Sequence, residues 1–505
     1  MAEPTRNHRQ AALLLGLAFG LILVAGSSLA WLLARSGARG PARILLVTPA
    51  EGPASGLDAA ECRALGALAQ DHLECQGGMA VTSVTELPTD LAPLRSRTHA
   101  RVLVLEPRRV GEDLVLAFRE AAGDQVRPGE GTPWVRHPGR PLPPAEAFVA
   151  FSRELGLPRL EAPGYLTPRA PGRFWALVRA TALRLQNDRM SLAAELARSV
   201  TEGEPDCATA WVLLGNIQYR RLLDHPLAFR QEQTDAEALL KRGLALVPGH
   251  PRGTLLLSLM ESDRGNQREA LSLLVQARRT QPNNPILLTG LAYAARGAGL
   301  LPLARRAMDL RDGLAFSEYL PQAVDITCLY TGEIPRFEAS LQDRPGHLRN
   351  TTGVLAFYRG YLALVLGDRT RAHTEFTAAR QVPHGYPNIL RLAEVFDLIL
   401  DGRDVEAWRV LRAFDQERTG MREPDGEFTI RLAEAYALLG DRDSAMEMAT
   451  RAFARGFGCT AWYERSPLLA PLRDLPRWEA LLQHLRERQK LMEEAYPASL
   501  VENPA

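Results

Sequence analysis

PRGTLLLSLMESDRGNQREALSLLVQARRTQPNN, residues Pro251 to Asn284, holds two apolar helical stretches in a 34-residue frame. Leu257 and Leu274 supply buried faces, Gly265 breaks the first helix, and Ala270 and Ala277 leave room for the two helices to cross closely. Pro282 stops the second helix, because its ring cannot continue the hydrogen-bond ladder. The frame recurs on both sides. Ala236, Ala270 and Ala304 fall 34 residues apart, as do Pro248 and Pro282, and Gly265 and Gly299. A period of this length means stacked supersecondary units, each with a face that it cannot bury alone.

These residues resemble the tetratricopeptide repeat, a helix-turn-helix unit. Upstream, Trp211, Leu214 and Gly215 open a unit whose second helix carries Ala236, Leu240, Gly243 and Pro248, with a lengthened loop around Leu222 to Glu232 between its halves. Trp175 to Pro205 reads as another, crossing at Ala193 and Ala197. Downstream, Gly360, Gly367, Ala372, Phe376 and Ala379 give one unit, Gly402, Ala407 and Leu411 a second, and Leu432, Tyr436, Gly440, Ala445, Ala449 and Ala452 a third. Between Phe316 and Arg349 only Gly332 anchors the pattern. About seven or eight repeats therefore span residues 170–457. Trp462, Pro467, Leu468, Leu472, Pro476, Trp478, Leu481 and Leu482 resemble the cap that shields the last apolar face of such arrays, which places a cap at 458–490 and a tail at 491–505.

The chain opens differently. A tail of residues 1–10 precedes an uncharged run from Gln10 to Ala34. As a helix this run exceeds the roughly 30 Å hydrocarbon core of a bilayer, so one transmembrane helix is expected at 11–34. A cleaved signal peptide is the rival, since Ser28-Leu29-Ala30 resembles a cleavage site; Trp31, Leu32 and Leu33 continue the apolar run beyond it and favour a retained anchor. Arg6 and Arg9 on one side nearly balance Arg35, Arg39 and Arg43 on the other. The expected placement is a single pass through the inner (cytoplasmic) membrane, amino terminus inside and bulk periplasmic. Gly16 and Gly20 form a G-x-x-x-G spacing that would let two spans pair as a homodimer, although glycine is common in membrane helices anyway.

Residues 43–160 have another character. Ala42 to Pro49 reads as a buried strand, Leu57 to Leu73 as an amphipathic helix, Met79 to Leu87 as a second strand and Leu91 to Arg97 as a short helix. Ala100 to Glu106 and Asp113 to Glu120 bracket a turn as a hairpin, and Pro143 to Leu155 closes with a helix. About 115 residues suffice for a separate α/β core. The order of these elements, with Ile44-Leu45-Leu46-Val47, Ala80-Val81-Thr82-Ser83-Val84 and Ala100 to Glu106 as its strands, resembles the amino-terminal domain of the Tol-system protein TolB. That module recurs in bacterial membrane-bound cyclases, kinases and acid-sensing regulators with such repeats. The ten residues before the span hold no comparable output segment, so a signalling role does not carry over. The fold class is therefore mainly α: a tetratricopeptide α-solenoid preceded by a small α/β domain and one transmembrane helix.

Composition is consistent with a bacterial source, and arginine in place of lysine everywhere but at Lys241 and Lys490 suggests a GC-rich genome. A net charge of +1 offers no general attraction to nucleic acid. Cys62 and Cys75 would stand about 20 Å apart on a continuous helix, beyond disulfide reach. With no C-x-x-C spacing, Cys207, Cys328 and Cys459 read with them as buried or idle thiols. The ten histidines form no metal-ligand spacing, and neither a nucleophile elbow nor a P-loop is present. Glu51-Gly52-Pro53-Ala54-Ser55-Gly56 is the nearest approach to an anion-binding loop, and turn formation alone accounts for it. Asn350-Thr351-Thr352 matches a glycosylation acceptor, a coincidence in a bacterial protein. No catalytic, cofactor or metal site is expected.

Recognition remains. In tetratricopeptide arrays the first helix of each pair lines a concave groove, with positions 2, 5, 9, 12 and 13 facing the ligand. In this frame they include Asn216, Tyr219, Arg220, Tyr293, Arg296, Phe357, Tyr361 and Phe396. An aromatic groove with a basic patch would hold an extended peptide or an amphipathic helix, though Phe357 or Phe396 packing between repeats explains those two equally well. Only Asn216 and Arg220 resemble the carboxylate clamp of chaperone-binding members. Two functions follow: a membrane-anchored scaffold or assembly factor that holds a protein partner, or an envelope sensory protein whose α/β domain binds a small ligand and signals through the repeats.

Overall fold

The computed structural model describes residues 42–49, 56–76, 79–87, 100–122, 134–157, 165–184, 189–224, 230–314, 325–342, 349–382, 386–419, 421 and 425–502. The expected span at 11–34, most of the Glu51–Gly56 loop and the helix expected at 91–97 lie outside them. Among the described residues no helix is long and apolar enough to cross a membrane.

Strands β1 (Ala42–Val47), β2 (Met79–Val84), β3 (Ala100–Val110), β4 (Asp113–Ala122) and β5 (Val135–His137) form a sheet of order β2-β1-β3-β4-β5. β1 runs parallel to β2 and β3, and β3, β4 and β5 pair antiparallel. Helix α1 (Ala59–Cys75) begins with a capping box, in which Asp58 Oδ1 accepts the Glu61 N–H at 2.8 Å and Glu61 Oε2 accepts the Asp58 N–H at 3.1 Å. α2 (Pro144–Glu154) packs Phe148 and Phe151 under the same face. The sequence gives no sign of β5, whose three residues are too few to show a period.

Eight antiparallel helix pairs follow among the described residues: α3 (Pro171–Leu183) with α4 (Met190–Gly203), α5 (Ala208–Asp224) with α6 (Arg230–Leu246), α7 (Pro251–Arg264) with α8 (Gln267–Thr280), and α9 (Pro285–Gly297) with α10 (Leu301–Leu314). Then come α11 (Ile326–Thr331) with α12 (Ile334–Ser340), α13 (Arg349–Val365) with α14 (Arg369–Arg380), α15 (Pro387–Leu400) with α16 (Asp404–Thr419), and α17 (Gly426–Leu438) with α18 (Arg442–Ala454). The first helices from α7 through α17 each run into a left-handed glycine, in turn Gly265, Gly299, Gly332, Gly367, Gly402 and Gly440, a conformation that costs other residues about 1–2 kcal/mol. Ala236, Ala270, Ala304, Ala372, Ala407 and Ala445 are fully buried where the second helices cross the first. The chain is thus a mainly α, tetratricopeptide-like solenoid with a small amino-terminal sheet.

Four features differ from expectation. Much of the lengthened loop at Leu222–Glu232 is helix, since α5 continues to Asp224 and α6 begins at Arg230. Residues 326–340, where the pattern is poor, form a pair of helices only six and seven residues long, too short to display a helical period. The tail expected at 491–505 is folded as far as Val501: α20 (Pro476–Ala495) runs on to a 3-10 turn at Ala498–Val501, after α19 (Thr460–Arg465) and a 3-10 turn at Pro467–Leu472. Finally, the sheet has no core of its own on its inner face. Ile44, Leu46, Leu65 and Phe148 share one apolar cluster with Phe174, Leu177 and Leu213 of the first pairs, and Asp71 of α1 meets Arg252 of α7 at 3.0 Å.

The array also closes on itself. The Gly458 N–H donates to Gly297 O at 2.7 Å, Asp425 N–H to Asp263 O at 2.9 Å, and Tyr496 Oη to Arg268 O at 3.0 Å. Arg278 donates to the carbonyls of Leu500 and Val501 at 3.1 and 2.7 Å. A Cβ at Gly299 would stand 2.2 Å from Gly458 O, whereas one at Gly367 meets nothing within 4 Å, and both glycines have φ near +85°. Gly299→Ala is therefore expected to lower the thermal midpoint well beyond Gly367→Ala, the second carrying only the backbone cost and the first a further displacement of about 1–3 kcal/mol. Equal drops would mean that the seam is open in solution.

Candidate functional site

Closure turns the first helices α9, α11, α13, α15 and α17 toward one another around a cleft of about 370 Å³. Its apolar lining includes Ala292, Met308, Ile326, Phe357 and Phe428, and its polar lining Arg296, Asp325, Asp425, Glu427 and Arg431. The size lies at the small end of the roughly 300–1,000 Å³ typical of ligand pockets.

Beneath the cleft lies a buried charge network. Arg431, with a side chain 3% exposed, donates to Tyr330 Oη at 2.6 Å and to Tyr361 Oη, and its guanidinium stands 4.2 Å from the Tyr361 ring centroid. Glu434 is fully buried and accepts from Tyr361 Oη at 2.7 Å, Trp462 Nε1 at 2.9 Å and Ser466 Oγ at 2.9 Å. Glu427 accepts from Tyr330 Oη at 2.6 Å and from Arg296 Nη2 at 2.8 Å. Burial works to raise the Glu427 carboxyl, but the Arg296 guanidinium outweighs it and holds the group below the usual carboxylate range. Burial likewise works against the Arg431 cation, yet the phenols of Tyr330 and Tyr361 and the carboxylate of Glu434 keep it firmly protonated. Helices from the fourth, fifth, sixth and eighth pairs and the cap are tied together by these few groups.

At the seam, Asp263 accepts from Tyr293 Oη at 2.7 Å and Tyr219 Oη at 2.8 Å. Asp425 is the single non-glycine residue with positive φ, +51°, among the described residues. Its Oδ1 caps α17 by accepting the Phe428 N–H at 3.1 Å, and burial, then Glu427, push its carboxyl up.

The eight residues expected in the groove divide. Tyr293, Arg296 and Phe357 line the cleft, and Tyr219 joins them through Asp263. Tyr361 and Phe396 are fully buried behind it, stacked with Phe357 and Phe376 at centroid distances of 5.4–6.5 Å. Closure has turned what an open superhelix would expose into core. Asn216 is buried on α5, and Arg220 donates to Arg184 O at 3.3 Å, so neither lines the cleft. Asp263, Asp425, Glu427, Arg431 and Glu434 were missed. Three of them had a signal: the same frame, carried to units beginning at 251 and 426, puts Asp263 at position 13, Glu427 at position 2 and Glu434 at position 9.

All five cysteines are free, and burial pushes the thiols of Cys207, Cys328 and Cys459 up to about 12. No protein-family model matches the chain, and no curated protein matches it. Among solved structures the chain is similar to the TPR domain of P58(IPK), with 13% identity, coverage of 65% of this chain and 99% of that one, and a TM-score of 0.20.

Proposed function

We propose that the chain is a bacterial membrane-anchored scaffold or assembly factor, held in the inner membrane by residues 11–34 with its bulk in the periplasm, and that its repeats grip a protein partner. The observation that carries this reading is the inner-face cleft, where five first helices from different pairs converge on apolar and charged side chains. Apolar anchors beside a few fixed polar groups are what a docked peptide requires. The TolB-like sheet unit, sharing a core with the first pairs, serves as a rigid base for the array.

A photo-crosslinking residue placed at Tyr386, on the cleft, is expected to trap a discrete protein adduct in cells, while one at the outward Leu491 on α20 is not. Identical adducts from both positions, or none from Tyr386, would overturn the reading. A periplasm-active reporter fused after Ala505 is expected to be active; activity of a cytoplasmic reporter in its place would overturn the topology.

A further inference from the structure

The charges around the cleft are unevenly matched. Arg296 is held by Glu427 at 2.8 Å, Arg431 by Glu434 and two phenols, and Arg311 by Asp312 at 2.7 Å. Each guanidinium in the wall thus has its own carboxylate. Asp425 is the exception: its carboxylate accepts the Phe428 N–H, and among the described residues no arginine or lysine stands within ion-pair distance of it, Arg418 and Arg296 acting on it from farther off. Asp325, on the same cleft, shares Arg311 with Asp312, at 3.7 Å. The same cleft is lined by the rings of Tyr293, Phe357, Tyr358 and Tyr386, and aromatic faces attract cations. An anionic group entering here would meet arginines already neutralised by close carboxylates and one acid, Asp425, without a close ion pair among the described residues.

We propose that the cleft takes an arginine or lysine side chain from an extended segment of the protein partner, with its cationic head at Asp425 and its apolar stem along Ala292, Met308 and Ile326. The inference rests on the scaffold reading and specifies what that partner must present. A long basic side chain suits such a site, because its methylenes bury against apolar walls while its charge meets a carboxylate with no close ion pair among the described residues.

The test uses the full-length chain in detergent, titrated with a fluorescein-labelled, end-blocked Gly-Ala-Arg-Ala-Gly peptide and its citrulline twin, which keeps the shape of arginine without the charge. The arginine peptide is expected to bind about ten-fold tighter. Asp425→Asn keeps the helix cap and is expected to erase that preference without lowering the thermal midpoint. Equal affinity for the two peptides, no binding of either, or a preference that survives Asp425→Asn overturns the proposal. Free agmatine binding as tightly as the arginine peptide overturns the peptide as its source. If crosslinks at residue 386 persist while the peptides fail, the scaffold reading stands and this one falls; loss of the crosslinks ends both.

Discussion

Replacing Arg431 with methionine is expected to cost about 3–5 kcal/mol of stability, the usual penalty for leaving a buried charge without its partner. The side chain is 3% exposed and its neighbour Glu434 is fully buried. With the cation gone, Tyr361, Trp462 and Ser466 still donate to the Glu434 carboxylate, but no positive charge remains to offset its desolvation. The Tyr330 hydroxyl loses a donor at the same time. Because these groups belong to α11, α13, α17 and the cap, the loss loosens the closed array as a whole. The paired change Arg431→Met with Glu434→Gln removes both charges, so it is expected to be more stable than Arg431→Met alone. Unfolding midpoints of the wild type, both single variants and the double variant test this. A double variant whose loss equals the sum of the single losses would mean that the two residues do not act as a unit.

The helix pairs were legible because their constraints are local. A glycine at positive φ, an alanine at a crossing and a proline at a helix start each leave a residue type at a fixed spacing, whereas the pair at 326–340, too short for a helical period, left only Gly332 as its mark. Closure left no such mark. Its contacts join Asp263 to Asp425, Gly297 to Gly458 and Arg278 to Val501, all distant in sequence and made largely through backbone groups that every residue type carries. For the same reason Tyr361 and Phe396 read as groove residues: their positions follow from the repeat frame, whereas their burial follows from how far the superhelix curls. Trp175 shows the limit at the other end of the array. It fits the first pair by spacing, yet its Nε1 donates to Glu112 O at 2.9 Å and its ring lies 4.4 Å from the Arg109 guanidinium, which joins the sheet hairpin to the repeats.

That joint is expected to make stability fall as pH rises from 6.5 to 8.5, and Glu74→Gln is expected to remove the fall. Glu74 is 1% exposed at the end of α1; its Oε1 accepts from Gln70 Nε2 at 2.8 Å, while its Oε2 has no hydrogen-bond partner among the described residues. Burial, with Asp71 adding to it, pushes its carboxyl from an ordinary 4.5 up to about 8. The folded chain therefore keeps a proton that the unfolded chain has lost, and this contribution is complete below pH 4.5 and gone above about 8. His72, two residues before it in the same helix and 3.0 Å from Ser152 Oγ, acts in the opposite sense: burial pulls it from 6.5 down to about 4, so its contribution is complete above pH 6.5 and is lost as pH falls toward 4. Between pH 4.5 and 6.5 the two oppose each other. Of these two groups only Glu74 still titrates above 6.5, across about 1.5 pH units, which is worth about 2 kcal/mol. Unfolding midpoints at pH 6.5 and 8.5 decide the matter. If Glu74→Gln retained the wild-type difference, the titrating group would have to lie elsewhere, and the seam between the sheet and the repeats would not be what the proton stabilises.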